Sequence, residues 1–226
     1  MTRPLFAGIA LVGVALLISL GVWQLERRAW KHDLIARVAQ RVNASATAAP
    51  RPAQFDARAD EYRHVMLRGR FLDDRETLVQ AATRLGGGFW VMTPLQTDAG
   101  FIVLVNRGFV STEQRRSRDW ARVPGEVAVS GLLRLSEPGG GFLRDNRPAE
   151  DRWYSRDVVA IAHARGLAEA APYFVDDAAA ADTTPGRGPV SGLTVLKFND
   201  NHLQYALTWF ALALLLAGGT FRILRR

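Results

Sequence analysis

Residues 4–25 read PLFAGIALVGVALLISLGVWQL, and residues 201–221 read NHLQYALTWFALALLLAGGTF. No Asp, Glu, Lys or Arg interrupts either stretch: the first gap runs from Arg3 to Glu26, the second from Asp200 to Arg222. A bilayer core of roughly 30 Å takes about 20 apolar residues at about 1.5 Å each, so either stretch can span it as a helix. The rival for the first is a cleavable signal peptide, with Arg3 as its basic end and Leu5–Leu20 as its apolar run. A small-residue cleavage site should then follow, but the chain continues Gly21-Val22-Trp23-Gln24-Leu25-Glu26-Arg27. We read it as a retained anchor. The second stretch cannot be a signal peptide, and a buried helix of a soluble protein rarely stays uncharged for so long.

The 226 residues carry 29 Lys and Arg against 22 Asp and Glu, a formal charge of +7 that would ordinarily raise nucleic acid as a partner. The position of the charge decides otherwise. Arg3 precedes the first apolar stretch, Arg222, Arg225 and Arg226 follow the second, and ERRAWK at 26–31 adds three cations and one carboxylate. Residues 32–202 hold 22 Lys and Arg against 21 Asp and Glu, so no basic groove is expected and no nucleic acid. The terminal arginines predict a cytoplasmic C-terminus, and two spans put the N-terminus there too. Arg27, Arg28 and Lys31 argue the other way, but long translocated loops override local charge. No Arg- and Ser-rich transit peptide precedes the first span. The expectation is a multi-pass protein of a bacterial inner (plasma) membrane, with the lipid bilayer as one partner, both termini cytoplasmic and the central domain periplasmic. Without cysteine there is no disulfide framework, thiolate metal site, thiol nucleophile or covalent c-type haem attachment.

Beyond the first span, Trp30, Leu34, Ile35, Val38 and Val42 recur at helical period and predict an amphipathic extension over residues 26–42. Residues 43–54, rich in small residues and proline, read as a linker. Residues 55–198 read as a β-rich α+β domain. In Tyr62–Phe71, Val65, Leu67, Gly69 and Phe71 alternate with His64, Arg68 and Arg70, and Met66 breaks the pattern. Further strands are expected at Thr77–Ala81, Phe89–Leu95, Phe101–Val105, Val127–Leu135 and Tyr173–Val175. Thr97-Asp98-Ala99-Gly100 and Pro124-Gly125 predict turns, Asp157–Leu167 a short helix closed by Gly166, and Pro138–Gly141 and Thr183–Pro189 loops. The expected fold class is a membrane α+β protein: two transmembrane helices, residues 4–25 and 201–221, flanking a β-rich periplasmic domain.

Signals for chemistry are few. Gly86–Gly88 and Gly139–Gly141 lack the helix and the Lys or Ser that a phosphate loop needs. Asp73/Asp74, Glu150/Asp151 and Asp176/Asp177 sit in turn-like contexts and read as solvated turn residues. The histidines are far apart in sequence: His32 on a charged helix flank, His64 on the polar face of a strand, His163 on an alanine-rich helix, and His202. With no Ser-His-Asp spacing either, an enzyme is the least favoured function class. His202 is different, since it stands at the outer lip of the second span. Positions 202, 205 and 209 share a helix face in the sequence pattern, lining up an imidazole, Tyr205 and Trp209. Trp23, Gln24 and Arg27 reach the same depth on the first span. An imidazole beside flat aromatics with a cation above is what a haem needs. An aromatic belt with an interfacial histidine accounts for the same residues, and both readings stay open.

Leu20-Gly21-x-Trp23-Gln24-x-x-Arg27-x-x-Trp30-Lys31 resembles the first signature of the Surfeit locus protein 1 family, membrane factors for cytochrome c oxidase assembly. Tyr62-Arg63-x-Val65 with Gly69-x-Phe71 resembles its next block. Val91-x-Thr93-Pro94-Leu95 and Val105-Asn106-Arg107-Gly108-Phe109-Val110 resemble the central one, and Asn201–Trp209 the closing one. Three departures stand out. Phe109 replaces a usual tryptophan, Ser111 a usual proline, and Phe89-Trp90 the commoner Tyr-His, so no metal role for that loop histidine carries over. The resemblance implies an assembly factor that delivers or stabilises haem a for subunit I of an aa3-type oxidase, with subunit I and haem a synthase as partners. It implies His202 as the haem iron ligand. Trp23, Tyr205 and Trp209 are then expected against the macrocycle, Arg27 at a propionate and Gln24 in the same site. The rival is a cofactor-free membrane scaffold that holds oxidase assembly intermediates while other factors supply the haem.

Overall fold

The computed structural model describes residues 3–118, 120, 123–141, 143–178, 188–193 and 200–225. Most of the expected Thr183–Pro189 loop, residues 194–198 of the expected domain, Asn199 and Arg226 lie outside the described residues. In chain order the elements are α1 (Arg3–Asn43), β1 (Thr47–Ala48), α2 (Ala57–Asp60), β2 (His64–Phe71), β3 (Thr77–Thr83), β4 (Gly86–Thr97), β5 (Ile102–Ser111), α3 (Thr112–Ser117), β6 (Val127–Leu135), α4 (Val158–Ala164), β7 (Ala170–Asp177) and α5 (His202–Leu224). They fall into two units, one from Met1–Ala39 with Leu196–Arg226, the other Gln40–Val195.

In the first unit, α1 continues unbroken through the expected span and its extension, and both α1 and α5 are long and apolar enough to cross a membrane. They run antiparallel. A Cβ on Gly13 would stand 3.0 Å from Leu216 Cδ2, and one on Gly21 only 2.4 Å from Phe210 Cε1. Ala10, Ala206 and Ala213 are buried. Small residues let the two backbones approach, which is how apolar helices associate where lipid offers no hydrophobic drive.

The second unit is a closed barrel. β2 pairs with β6, β6 with β7, β7 with β5, β5 with β4, and β4 returns to β2. All these pairs are antiparallel except β5–β7. Counting only ring strands in chain order, the circuit is first-second-third-fifth-fourth-first, the strand order of an OB-type barrel. Closure removes the unpaired strand edges that invite aggregation. β3 extends the sheet beyond β4, and β1 lies parallel to β2. Val65, Leu67, Leu95, Val103, Val105, Leu133, Tyr173 and Val175 fill the interior. Residues of opposite parity, Met92, Leu104 and Phe174, pack outside beneath Ile161 of α4 and Trp153. This is the period-2 pattern of strands with both faces covered.

Two details explain motif residues. Gly69 is where β2 leaves β6 and takes up β4, and a Cβ there would sit 2.0 Å from the Gln96 carbonyl oxygen. Only glycine fits that approach. Between the pairs Trp90–Phe109 and Met92–Asn106, β5 carries one residue more than β4, a bulge. Asn106 holds it by accepting the Gly108 N–H (3.1 Å), with Gly108 at φ +127° against Val190.

Several expectations are corrected. Strand β5 does not stop at Val105 but runs on through the bulge to Ser111. The stretch 43–54 is tied to the barrel, since Thr47–Ala48 pair with Val65–Met66 and the Tyr173 hydroxyl donates to the Pro50 carbonyl. Met66, 41% exposed, keeps the alternation of β2 because a thioether tolerates the outer face. Asp176 is not a turn residue. It is 3% exposed within β7, accepting from Asn106 Nδ2 (2.8 Å), Arg156 Nη1 (3.2 Å) and Arg134 Nη1 (3.1 Å).

Candidate functional site

His202 opens α5, and its ring meets α1. Nδ1 lies 2.8 Å from Gln24 Oε1, and no hydrogen bond reaches Nε2 among the described residues. The residues of α5 least exposed to solvent, His202, Ala206, the adjacent Trp209 and Phe210, Ala213, Leu216 and Thr220, recur at helical spacing along one face. His202 therefore stands on the face that packs against α1.

Asp200 ties the two helices together just before α5 begins. Its Oδ1 accepts the backbone N–H of His202 (3.1 Å), and its Oδ2 accepts His32 Nε2 (2.7 Å) with Arg28 Nε at 3.6 Å. The hydrogen bond from His32 holds the Asp200 carboxyl below its ordinary range. The His202 N–H and the Arg28 charge pull the same way against modest desolvation. Gln24, Arg28 and His32 succeed one another at four-residue intervals, so one stripe of α1 grips the start of α5. Sequence reasoning placed His32 on a charged flank and missed this contact. The signal available was that four-residue spacing opposite an isolated Asp before an apolar run.

The other expected site residues divide. Gln24 meets His202, and Trp209 borders the packed face half-buried. Tyr205 does not share that face: it is 55% exposed, because Ala206 takes the inward position one residue on. Trp23 is 54% exposed, and the Arg27 guanidinium lies 4.1 Å from the ring centroid of Trp30 on its own helix. At the opposite end of the helix pair an apolar groove of about 290 Å³ is lined by Ala7, Ala10, Val14, Ala217, Thr220 and Phe221.

In the barrel the polar groups serve the fold. Arg107 is folded down onto Asp73 (3.4 Å) and over the Phe71 ring (5.0 Å). Glu76 accepts from Thr93 Oγ1 and Trp120 Nε1, both at 3.2 Å, and burial pushes its carboxyl above the ordinary range. A shallow groove of about 170 Å³ lies between Gln80, Phe89, Arg115 and Tyr154. Among the described residues no three His, Asp or Glu side chains gather as a metal site would require.

Comparison with known proteins covers both units. The SURF1 family profile matches residues 11–214. The chain is 37% identical over 215 residues to Surfeit locus protein 1 of Homo sapiens, covering 86% of this chain and 69% of that one. It is 34% identical over 214 residues to Surfeit locus protein 1 of Takifugu rubripes, covering 86% of each. A SURF1-like protein of Monosiga brevicollis is 36% identical over 210 residues, covering 86% of this chain and 78% of its own. The match takes in the Gln24–His202 contact as well as the barrel, and the chain belongs to the SURF1 family.

Proposed function

We propose that this protein is a non-catalytic assembly factor for cytochrome c oxidase, anchored in a bacterial inner membrane by α1 and α5 with its barrel in the periplasm. The arginines after α5 support that orientation through the positive-inside rule. Its cargo is haem a, received at the outer ends of the two helices for insertion into subunit I of an aa3-type oxidase, with haem a synthase as the donor. The observation that carries this is His202. It lies on the packed face of α5 with Nδ1 engaged by Gln24, and among the described residues no hydrogen bond occupies Nε2.

The residues fit the cargo. A neutral imidazole is a common axial donor to haem iron. Trp209 lies about two turns along the same face of α5, Trp23 and Tyr205 offer ring surface to a macrocycle, and Arg27 supplies a cation for a propionate. A single histidine ligand would suit a carrier that must release its cargo. Co-expression with a haem a synthesis pathway, purification and an absorption spectrum test this. Wild type should carry haem and His202→Ala should lose it. A colourless wild type, or haem that survives His202→Ala, overturns haem carriage and leaves the cofactor-free scaffold of oxidase intermediates.

A further inference from the structure

An imidazole that ligates iron uses one ring nitrogen, and in its neutral form the proton sits on the other. Which nitrogen is which is set by the hydrogen bond the ring makes elsewhere. For His202 that bond is to Gln24 Oε1, an atom that can only accept. The ring therefore donates from Nδ1, and its lone pair lies on Nε2.

We infer that Gln24 is a positioning residue rather than a contact of the cargo: it fixes the Nδ1–H tautomer and the ring plane of His202, so that Nε2 is presented as the donor. This rests on the haem reading above for its purpose, but not for its geometry. Both partners of the bond are held. Gly21, one turn before Gln24, is packed against the Phe210 ring, which leaves α1 no room to slide. Asp200 takes the backbone N–H of His202 and is itself held by His32 and Arg28, which fixes the first turn of α5. The opposite orientation of the Gln24 amide would turn an N–H toward Nδ1, put the ring proton on Nε2 and close the ring to iron.

The contact can be tested without haem. In the full-length protein labelled with 15N-histidine and held in detergent micelles, the two imidazole nitrogens give distinct shifts for the two tautomers. The His202 signals are those lost in His202→Ala. Wild type should show Nδ1–H. Gln24→Leu, which cannot accept, should lose that preference, and Gln24→Glu should keep it. On loading with haem a, Gln24→Leu should bind about 10–100-fold more weakly, the usual cost of losing such an outer partner. Gln24→Glu should retain binding with a lowered iron midpoint potential, because a carboxylate makes the imidazole a stronger donor. Recovery in the Glu variant separates this from misfolding of the Leu variant. Nε2–H in wild type, or a Gln24→Leu protein with unchanged tautomer and haem affinity, overturns the inference. Nδ1–H in a wild type that takes up no haem supports the contact and overturns the cargo instead.

Discussion

Replacing Asp176 by Asn tests whether the barrel depends on a charge buried at the β6–β7–β5 junction. Asp176 takes Arg134 on one oxygen and Arg156 with Asn106 on the other, and both guanidinium groups are largely covered. Removing one partner of a buried ion pair costs about 3–5 kcal/mol, because the other charge stays desolvated. The two arginines keep some compensation. Arg156 retains Glu137 at 2.5 Å and lies 4.6 Å from the Phe174 ring, while Arg134 lies 5.1 Å from the ring of Tyr62. The amide oxygen of Asn can still receive Asn106. The lower end of the range, about 3 kcal/mol, is therefore expected, and for a unit of this size that lowers Tm by about 6–12 °C. Near-UV circular dichroism of the detergent-solubilised full chain reports it through Trp90 and Trp153, both in the barrel unit. Glu150→Gln, which cuts the exposed pairs to Arg147 and Arg152, is the control and should cost no more than about 1 kcal/mol. A Tm for Asp176→Asn within about 2 °C of wild type would refute the buried-charge argument.

Gly69→Ala should destabilise the barrel by about 1–3 kcal/mol or more and speed amide exchange at residues 95–97, where β4 closes onto β2, while Gly87→Ala, with open space around it, should be neutral. Glu76→Gln should flatten the pH dependence of stability. Burial raises the Glu76 carboxyl above 4.5, so the folded wild type binds the proton more tightly than the unfolded chain. Wild type therefore loses stability as pH climbs from there through the folded value, whereas the Gln variant has nothing to titrate and should match or exceed wild type at neutral pH in urea titrations. Topology is read by a reporter active only in the periplasm: silent after Arg226, active when inserted near Gly140, with the reverse pattern overturning the orientation. A double-mutant cycle of Trp90→Ala and Phe109→Ala should give a coupling of about 0.5–1.5 kcal/mol from their edge-to-face contact, and strict additivity would deny it.

Much of the barrel was legible because its strands bury one residue in two. Val127–Leu135 was read at its observed bounds, and β2 was found from Val65, Leu67 and Phe71. What the pattern could not supply was closure, since the return of β4 to β2 depends on Gly69 and a long-range pairing with no local signature. The apolar run of β5 ends at Val105, whereas the strand itself continues, because the bulge absorbs Asn106-Arg107-Gly108 inside it. Asp176 reads as a turn residue because adjacent acids usually mark turns, whereas the Asn106, Arg134 and Arg156 side chains that bond it come from sequence positions 20 to 70 residues away. At the helix pair the depth argument brought Gln24 to His202, but the wheel put Tyr205 on the shared face where Ala206 belongs. A helical pattern defines a stripe, and only the packing of the neighbouring helix selects its centre.

The family signatures divide between two tasks. The blocks around Gly69 and Asn106–Gly108 secure barrel closure and the bulge, where backbone groups approach too closely for a side chain. The outer blocks place Gln24 and His202 on facing helices. The three departures from the pattern the chain resembles, Phe89-Trp90, Phe109 and Ser111, all lie in the barrel unit. Trp90 and Phe109 are direct partners across β4 and β5, with ring centroids 6.1 Å apart at 78°. Ser111 caps α3 from its side chain, and its backbone N–H donates to Gln114 Oε1 at 2.9 Å, a bond proline could not make. Packing in the barrel accommodates Trp90, Phe109 and Ser111, while the Gln24–His202 contact lies on the two long helices.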